Sequence, residues 1–474
     1  MPVRFLLNGK ALEVGEDDSE GPHQSLLSFL RGRGLTGAKE GCAEGECGAC
    51  AVAIVARDPA SDQLRFMPVN ACLVPLAAVH GRALVSVEGV ADADGSLHPV
   101  QRALAEGGGS QCGYCTPGFV VSMFCEYYRA ERDGYDPEAL SGNLCRCTGY
   151  RPIIDAAKSL FGSHLESGAK PDTDDATKRR LLVLPAARGD AAGPTHYLRP
   201  ESLDQLFALC ARYPDSTLIH GGTDLMVEVN QRDLRFERLI SLESVAELSR
   251  FERSPDALSI GAGLSLSALG AAAHGLSLID QLLPSFASRL IRNRASLGGN
   301  LATASPIGDG APVLLALDAT LELASAQGTR QVALDRFFVG YRKTLLAPGE
   351  IIVRVIVSLP AARVQRFYKV SKRPLDDISS VAAAFALDLD AQGNVQRLRI
   401  AYGGLAATPL RAYAAEQCAL GKPLNEATLA EVQKALATLG TPLSDQRASA
   451  AYRTAMRDRL VEKFWSESRA ELGS

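Results

Sequence analysis

Eight of the eleven cysteines in this 474-residue chain form two unlike groups within its first third: Cys42, Cys47, Cys50 and Cys72, then Cys112, Cys115, Cys145 and Cys147. Two complete sets of four thiolates predict two inorganic centres, so this part of the fold must be built from short elements joined by ligand-bearing loops. So many ligand thiols also predict a reducing compartment, where they persist as thiolates. The remaining Cys125, Cys210 and Cys418 lie in apolar, helix-like settings and read as structural thiols.

The first group is spaced Cys-x4-Cys-x2-Cys with a distant fourth member, the spacing by which plant-type ferredoxins hold one [2Fe-2S] cluster. Its loop, KEGCAEGECGAC from Lys39 to Cys50, sets Gly41, Gly45 and Gly48 between the ligands. A loop wrapped round an anionic cluster needs left-handed backbone and close approach, so that amide N–H groups can face the sulfurs, and glycine supplies both. The pair Cys47-x2-Cys50 alone would suit zinc. The added Cys42 and the glycines favour iron and sulfur.

The second group, Cys112-x2-Cys115 with Cys145-x-Cys147, matches no ferredoxin spacing, and zinc stays open on spacing alone. Its context is helical. Thr116 and Pro117 predict an N-cap and first helical position, with a one-sided helix from Phe119 to Arg132 that Gly134 ends. Asp136-Pro137 predicts a short helix and Arg151-Pro152 another towards Phe161. In extended backbone Cys145 and Cys147 point the same way and can grip one centre.

Together the two motifs resemble the iron-sulfur portion of the molybdenum hydroxylases, the family of xanthine dehydrogenase and aldehyde oxidase. The resemblance rests on Gln-Cys-Gly-Tyr-Cys-Thr-Pro-Gly at 111–118 and Gly-Asn-Leu-Cys-Arg-Cys-Thr-Gly-Tyr-Arg-Pro at 142–152. It implies a ferredoxin-like β-grasp domain at 1–90 and a four-helix iron-sulfur domain at 91–162, each holding a [2Fe-2S] cluster, with Gln111 near a pterin.

Along the chain, Val3 to Leu7 and Ala11 to Val14 predict a hairpin about Asn8-Gly9. Residues 25–31 predict a helix, and 51–56 and 84–87 further strands. From 163 to 192 the sequence is polar and charge-mixed and reads as a linker. Beyond it the pattern turns α/β, with a helix at 202–211 and a strand at 216–219 broken by His220-Gly221-Gly222-Thr223-Asp224-Leu225. Paired glycines after a strand let amides approach a phosphate. A Rossmann fingerprint is absent, since Leu266 stands where Gly261-Ala262-Gly263 would need its third glycine. A second glycine run, Ser296-Leu297-Gly298-Gly299-Asn300-Leu301-Ala302-Thr303-Ala304-Ser305-Pro306, supplies another such turn. Two turns can cradle the two phosphates of a dinucleotide, with hydroxyls of Thr223, Thr303 and Ser305 as donors. This chemistry points to FAD.

Here the family resemblance resumes, with a non-Rossmann α/β FAD-binding domain at 193–362 and an α+β C-terminal flavoprotein domain at 363–474, completing an α+β multidomain chain. Transferred by position, it implies FAD contacts at Leu218, Ile219, His220, Gly221, Gly222, Thr223, Asp224, Leu225, Phe286, Ser296, Leu297, Gly298, Gly299, Asn300, Thr303, Asp309, Ile352 and Lys369. Gly222 and Asp224 depart from the Asn and Glu of many relatives. Without the resemblance Phe286 and Ile352 read as core, Lys369 as a solvated lysine, and His220 as lacking a carboxylate partner. Tyr341 is a further candidate for the flavin face. Strands at 366–370, 380–388 and 396–402 are expected, then helices to 470, with the loop 371–377 near the flavin ring.

The resemblance implies a redox subunit of the xanthine branch. Molybdopterin-bound molybdenum is then expected on a large partner subunit, in a heterotetramer of two small and two large subunits. Electrons from oxidation of hypoxanthine or xanthine to urate would pass through both clusters to FAD and on to NAD, with no residue here acting as acid or base on the purine. Aldehydes or N-heterocycles are the alternative substrates, and a zinc-stabilised binding protein the other class. A formal charge of −4 argues against nucleic acid or acidic membrane as partner. No long apolar window and no signal-like N-terminus place the chain, as an expectation, in the cytoplasm.

Overall fold

The computed structural model describes residues 2–15, 21–58, 61–130, 132, 134–161, 175–185 and 194–473. The chain divides into two compact units. The first comprises Met1–Glu201, Leu209–Ser244 and Ser288–Ala295, and the second Ser202–Ala208, Val245–Ala287 and Ser296–Ser474. The stretch expected to open a flavin domain at 193 is thus shared between both.

The first unit begins with a five-stranded sheet in the order Lys10–Val14, Val3–Leu7, Ala83–Val85, Ala51–Arg57, Leu64–Asn70. The opening hairpin pairs Leu7 with Lys10, and its turn residues Asn8 (φ 52°) and Gly9 (φ 81°) are both left-handed, as the strand twist demands. Ser25 caps the helix Leu26–Gly32 by accepting from Ser28 N–H at 3.1 Å, and the helix buries Leu26, Leu27, Phe29 and Leu30 on the sheet. The strand expected at 84–87 stops at Val85, because Ser86 N–H turns to the Asn8 side chain at 2.9 Å instead of to a neighbouring strand.

Four helical segments cover the other face: Pro99–Glu106, Thr116–Tyr127, the 3-10 turn Pro137–Leu140 and Arg151–Phe161. Thr116 is the first helical residue and Cys115 the N-cap, one position earlier than the sequence suggested. The helix is buried on all sides from Gly118 to Tyr127, not on one stripe, because it lies between the sheet, where Phe66 meets Phe124 at 4.8 Å, and the other helices. It ends at Tyr127, short of the expected Arg132. The Arg132 guanidinium reaches back to the carbonyls of Glu126 (3.2 Å) and Tyr127 (2.8 Å) and closes the end.

Of the expected linker, 163–174 and 186–192 lie outside the described residues. Within 175–185 the chain forms the helix Ala176–Leu181, which packs on the first unit. Arg180 donates to the carbonyls of Gly89 and Ala91, Tyr128 donates to Asp175, and Leu181 is buried. This segment is structured, and its mixed charges are spent on specific partners.

A parallel sheet in the order Tyr197–Leu198, Leu239–Ser241, Thr217–Ile219 follows, with the helix Leu225–Arg232 after the last-named strand. Tyr197, Ile219, Met226, Val229 and Leu239 share one core with Leu26, Ile54, Val69, Cys72 and Leu76. The helix expected at 202–211 runs Leu203–Arg212.

The second unit holds an antiparallel sheet in the order Gly328–Ala333, Thr320–Ser325, Ile351–Ser358, Ala257–Gly261, Phe251–Arg253. A second antiparallel sheet runs Val364–Val370, Val381–Leu389, Val395–Gly403, Leu410–Arg411, and the helices Tyr413–Ala419, Glu426–Leu436 and Ala450–Leu472 cover it. These match the strands and helices expected there. Phe464 of the last helix is fully buried and stacks on Phe385 at 4.6 Å. Among the described residues no helix is long and apolar enough to cross a membrane.

Two predictions follow from these cores. Phe464→Ala should destabilise the C-terminal sheet and helices by about 3–5 kcal/mol, read as a lower denaturant midpoint. His98 caps Pro99–Glu106 as a neutral ring, accepting from Val100 N–H at 3.2 Å and meeting Tyr128 Oη at 3.0 Å, and burial pushes its pKa down to about 4. Between the ordinary 6.5 and about 4 the unfolded chain binds the extra proton, so thermal stability should fall as pH drops through that window. His98→Asn should keep the cap and flatten that part of the pH profile.

Candidate functional site

The loop 41–50 crosses itself tightly. A Cβ on Gly41 would come within 2.8 Å of Cys47 Sγ, while Ala43 (φ 56°), Gly45 (φ 87°) and Gly48 (φ 63°) are left-handed. That backbone aims N–H groups at sulfur: those of Glu44, Cys47 and Glu46 at Cys42, that of Ala49 at Cys47 and that of Gly45 at Cys72. The sulfurs stand in pairs, Cys42 with Cys47 and Cys50 with Cys72, the latter at 3.4 Å. The hydrogen bond from Cys47 pulls Cys42 down to about 5 against burial, and the same bond pushes Cys47 up. Two adjacent thiols cannot both ionise unless positive charge lies between them.

The second set repeats the pairing. Cys147 meets Cys112 at 3.3 Å and Cys145 meets Cys115, whose thiol burial and that bond push up to about 12. Cys145 is buried, whereas Cys112 and Cys147 are exposed. Among the described residues no three or more His, Cys, Asp or Glu side chains are grouped to hold a single metal ion. Pairs suit a binuclear cluster, in which each iron takes two protein thiolates, so both sets fit [2Fe-2S] chemistry.

The two loops are docked backbone to backbone. Leu144 N–H donates to the Cys47 carbonyl at 3.0 Å, and Asn143 Nδ2 to the Gly48 carbonyl at 3.1 Å. A Cβ on Gly48 would lie 2.1 Å from the Gly142 carbonyl, and one on Gly118 2.2 Å from the Gly48 carbonyl. Tyr114, between two ligands of the second set, donates to the carbonyl of Glu40. The sequence places Gly48 in its own loop only; its contacts with Gly142 and Gly118 join that loop to the second.

Of the expected flavin contacts, 218–225 lie in the first unit. Leu218 and Ile219 end the strand Thr217–Ile219, and Gly221 (φ 69°) and Gly222 (φ 78°) turn the chain past half-buried Thr223 into the helix Leu225–Arg232, with Asp224 at its N-cap. A Cβ on Gly221 would lie 2.0 Å from the Arg294 carbonyl, and one on Gly222 2.7 Å from that of Leu73. Beneath the turn Glu243 binds Arg294 at 2.5 Å and Arg82 at 2.7 Å, and accepts from Gly221 N–H at 3.4 Å. Burial opposes its charge, yet Arg294 and Arg82, with His220, hold the Glu243 carboxyl well below the usual range. His220 therefore does face a carboxylate, contrary to the expectation, and the two stand far apart in sequence.

The remaining contacts lie in the second unit. Ser296 caps the helix Leu297–Ala302, accepting from Gly299 N–H at 3.1 Å, and Gly298 presses on Ala262, whose carbonyl takes its N–H at 2.7 Å. Asn300 Oδ1 is buried without a hydrogen-bond partner among the described residues, and a Cβ on Gly310 would lie 2.5 Å from it. An orphaned acceptor beside bare glycine backbone fits a polar ligand there. Thr303 Oγ1 is spent on the Asn300 carbonyl at 2.9 Å. The Lys369 side chain is buried, not solvated: its Nζ meets Asp309 at 2.9 Å and the Ser285 carbonyl at 2.7 Å, next to half-buried Phe286, and Ser379 donates to Asp309. Lys369, Phe367, Ser371, Lys372 and Arg373 line an open cavity of about 410 Å³. Ile352 is buried in the central strand opposite Leu323, and Tyr341 is 63% exposed in a hairpin turn.

The chain matches family models in sequence order: a 2Fe-2S iron-sulfur cluster binding domain at 9–77, a [2Fe-2S] binding domain at 86–158, the FAD binding domain in molybdopterin dehydrogenase at 192–361 and the CO dehydrogenase flavoprotein C-terminal domain at 366–468. The xanthine dehydrogenase of Emericella nidulans is 35% identical over 92% of this chain and 36% of that protein. The xanthine dehydrogenase/oxidase of Mus musculus is 33% identical over 91% and 36%. The chain thus spans little more than a third of the length of these relatives. A chain of the carbon monoxide dehydrogenase from Hydrogenophaga pseudoflava superposes with a TM-score of 0.54 at 28% identity, over 56% of this chain and 94% of that one. Quinoline 2-oxidoreductase from Pseudomonas putida 86 gives 0.54 and 28%, over 58% and 96%. With paired thiols under the two iron-sulfur models and glycine-lined turns under the flavin model, the chain belongs to the molybdenum hydroxylase family, as an iron-sulfur and FAD-binding portion of it.

Proposed function

We propose that this chain carries electrons from a molybdopterin-bearing partner to NAD during oxidation of hypoxanthine or xanthine. Cys42, Cys47, Cys50 and Cys72 would hold one [2Fe-2S] cluster, and Cys112, Cys115, Cys145 and Cys147 the other. The bound FAD would supply the change from single-electron to hydride transfer. The observation that carries this reading is the direct bond between the two ligand loops, Leu144 N–H to the Cys47 carbonyl, which sets the two sets of thiols in fixed register.

The exposed edge of the second set, Cys112 and Cys147, suits entry of electrons from a partner, while the buried pair Cys50 and Cys72 suits passage inward. Gly221 and Gly222 would admit phosphate to the turn at 220–223. Asn300, Lys369 and Asp309 are further FAD contacts that the family resemblance implies. Relatives named xanthine dehydrogenase favour xanthine and hypoxanthine as substrates. NAD as acceptor, a heterotetramer of two small and two large subunits, and the cytoplasm as location rest on the family resemblance of the sequence. The domain limits 1–90, 91–162, 193–362 and 363–474 go with this reading. Likeness to quinoline 2-oxidoreductase makes N-heterocycles the second reading. Assay of the purified complex with xanthine, an aldehyde and quinoline decides between them, and inactivity on xanthine would sink the first.

Cys147→Ser should remove or perturb one cluster and abolish xanthine-to-NAD turnover while NADH oxidation by an artificial dye persists; loss of both activities with FAD retained would contradict the path. Gly221→Ala places a Cβ 2.0 Å from the Arg294 carbonyl at a left-handed position. Flavin content should fall about tenfold, the loss expected when a cradling residue costs a little over 1 kcal/mol of binding, with iron content unchanged.

A further inference from the structure

The helix Leu225–Arg232, which leaves the glycine turn, ends against the first cysteine loop. Asn230 Nδ2 donates to the carbonyl of Ala43 at 2.8 Å and to that of Cys72 at 2.9 Å. Gln231 Nε2 donates to the carbonyl of Cys42 at 2.8 Å. One carboxamide therefore bridges the loop after the first ligand and the distant fourth ligand, and its neighbour holds the first ligand itself. At its other end the same helix is fixed by Gly222, whose bare Cα sits against the carbonyl of Leu73, next to Cys72. Met226 and Val229 share a core with Cys50, Cys72 and Leu73, so helix and ligand segment are one packed body.

A trans peptide unit carries its C=O and N–H on opposite sides. Holding the Ala43 carbonyl outward, towards Asn230, therefore turns the N–H of Glu44 inward, and that N–H is one of those aimed at Cys42 Sγ. Ala43 does this from a left-handed backbone, φ 56°, that a residue with a Cβ rarely adopts unaided. The clamp supplies what the local sequence does not.

We propose that Asn230 and Gln231 are positioning residues for the first cluster, a carboxamide clamp by which the helix leaving the flavin turn fixes the carbonyls of Cys42, Ala43 and Cys72 and so directs backbone N–H groups onto the cluster sulfurs. This rests on the reading of the four cysteines as ligands of one [2Fe-2S] cluster. N–H groups on the sulfurs stabilise the reduced, more negative cluster and raise its potential. Metal-site partners of this kind alter affinity by about ten- to a hundredfold when removed.

The test uses the assembled enzyme carrying Asn230→Leu, which keeps size and removes the donor, with Gln231→Ala at the exposed neighbour as the second variant. Redox titration followed by electron paramagnetic resonance should show the potential of the ferredoxin-type cluster moved negative and its g-values altered. The second cluster and the flavin content should be unchanged. A chelator should strip that cluster about tenfold faster than in the wild type. Selective loss of that cluster during purification supports the clamp equally. Unaltered potential, g-values and chelation rate in both variants would overturn it, as would damage confined to the second cluster or the flavin. A wild-type enzyme without iron would instead sink the cluster reading itself, so the two failures are distinct.

Discussion

The hydrogen bond from Leu144 N–H to the Cys47 carbonyl, 3.0 Å long, joins two loops that belong to different layers of the fold. It forms only because the backbones touch, and they touch only because Gly48 and Gly118 carry no Cβ. Everything around this contact is arranged to keep it. The ferredoxin-like sheet offers one face to the helix Leu26–Gly32 and the other to Thr116–Tyr127, so both cysteine loops are anchored on the same five strands. A methyl group at Gly48 would meet the Gly142 carbonyl and the Asn143 side chain at once, with no flexible neighbour to give way.

Charge does for the flavin-side segments what packing does for the loops. Arg289 binds Glu126 and Asp136, Arg292 binds Glu138, and Arg294 binds Glu243, which also holds Arg82. Arg292, Arg294 and Glu126 are buried, and stranding one partner of such a pair costs about 3–5 kcal/mol. These pairs explain why Ser288–Ala295 counts with the iron-sulfur unit although it lies within the flavin model, and why the division falls between Ala295 and Ser296. Within the first unit they fix the place of Ser288–Ala295 more than they add net stability, because the desolvation of so many charges offsets much of their attraction.

What could be read from the sequence was local. Asn8-Gly9 announces its turn, the spacing of Cys42, Cys47 and Cys50 announces a binuclear cluster, and the C-terminal strands expected at 366–370, 380–388 and 396–402 lie within two residues of their places in the fold. What could not be read was long-range. Glu243 meets His220, Arg82 and Arg294 only in the fold, so His220 looked unpartnered. Lys369 looked solvated because nothing near it in sequence reveals Asp309 or the Ser285 carbonyl. Arg132 extended an apparent helix when in fact its guanidinium ends it. The helix at 176–181 was hidden by its own polarity, which is matched by Gly89, Ala91 and Tyr128 from far upstream.

The hydroxyls near the second glycine turn show how far such patterns can be pressed. A hydroxyl has one proton to give and two lone pairs to accept with. Ser296 Oγ accepts from Gly299 N–H, so its proton is still available to an anionic ligand. Thr303 Oγ1 donates to the Asn300 carbonyl, so its proton is spent and only acceptance remains, which suits no phosphate. Of these two expected flavin contacts, only Thr303 was offered by the sequence as a hydroxyl donor, yet the geometry leaves Ser296 able to donate and turns Thr303 into part of the helix end. The selection comes from position: at the N-cap, Ser296 Oγ accepts from a helix amide and keeps its own proton, whereas at the helix end Thr303 gives its proton back to a backbone carbonyl.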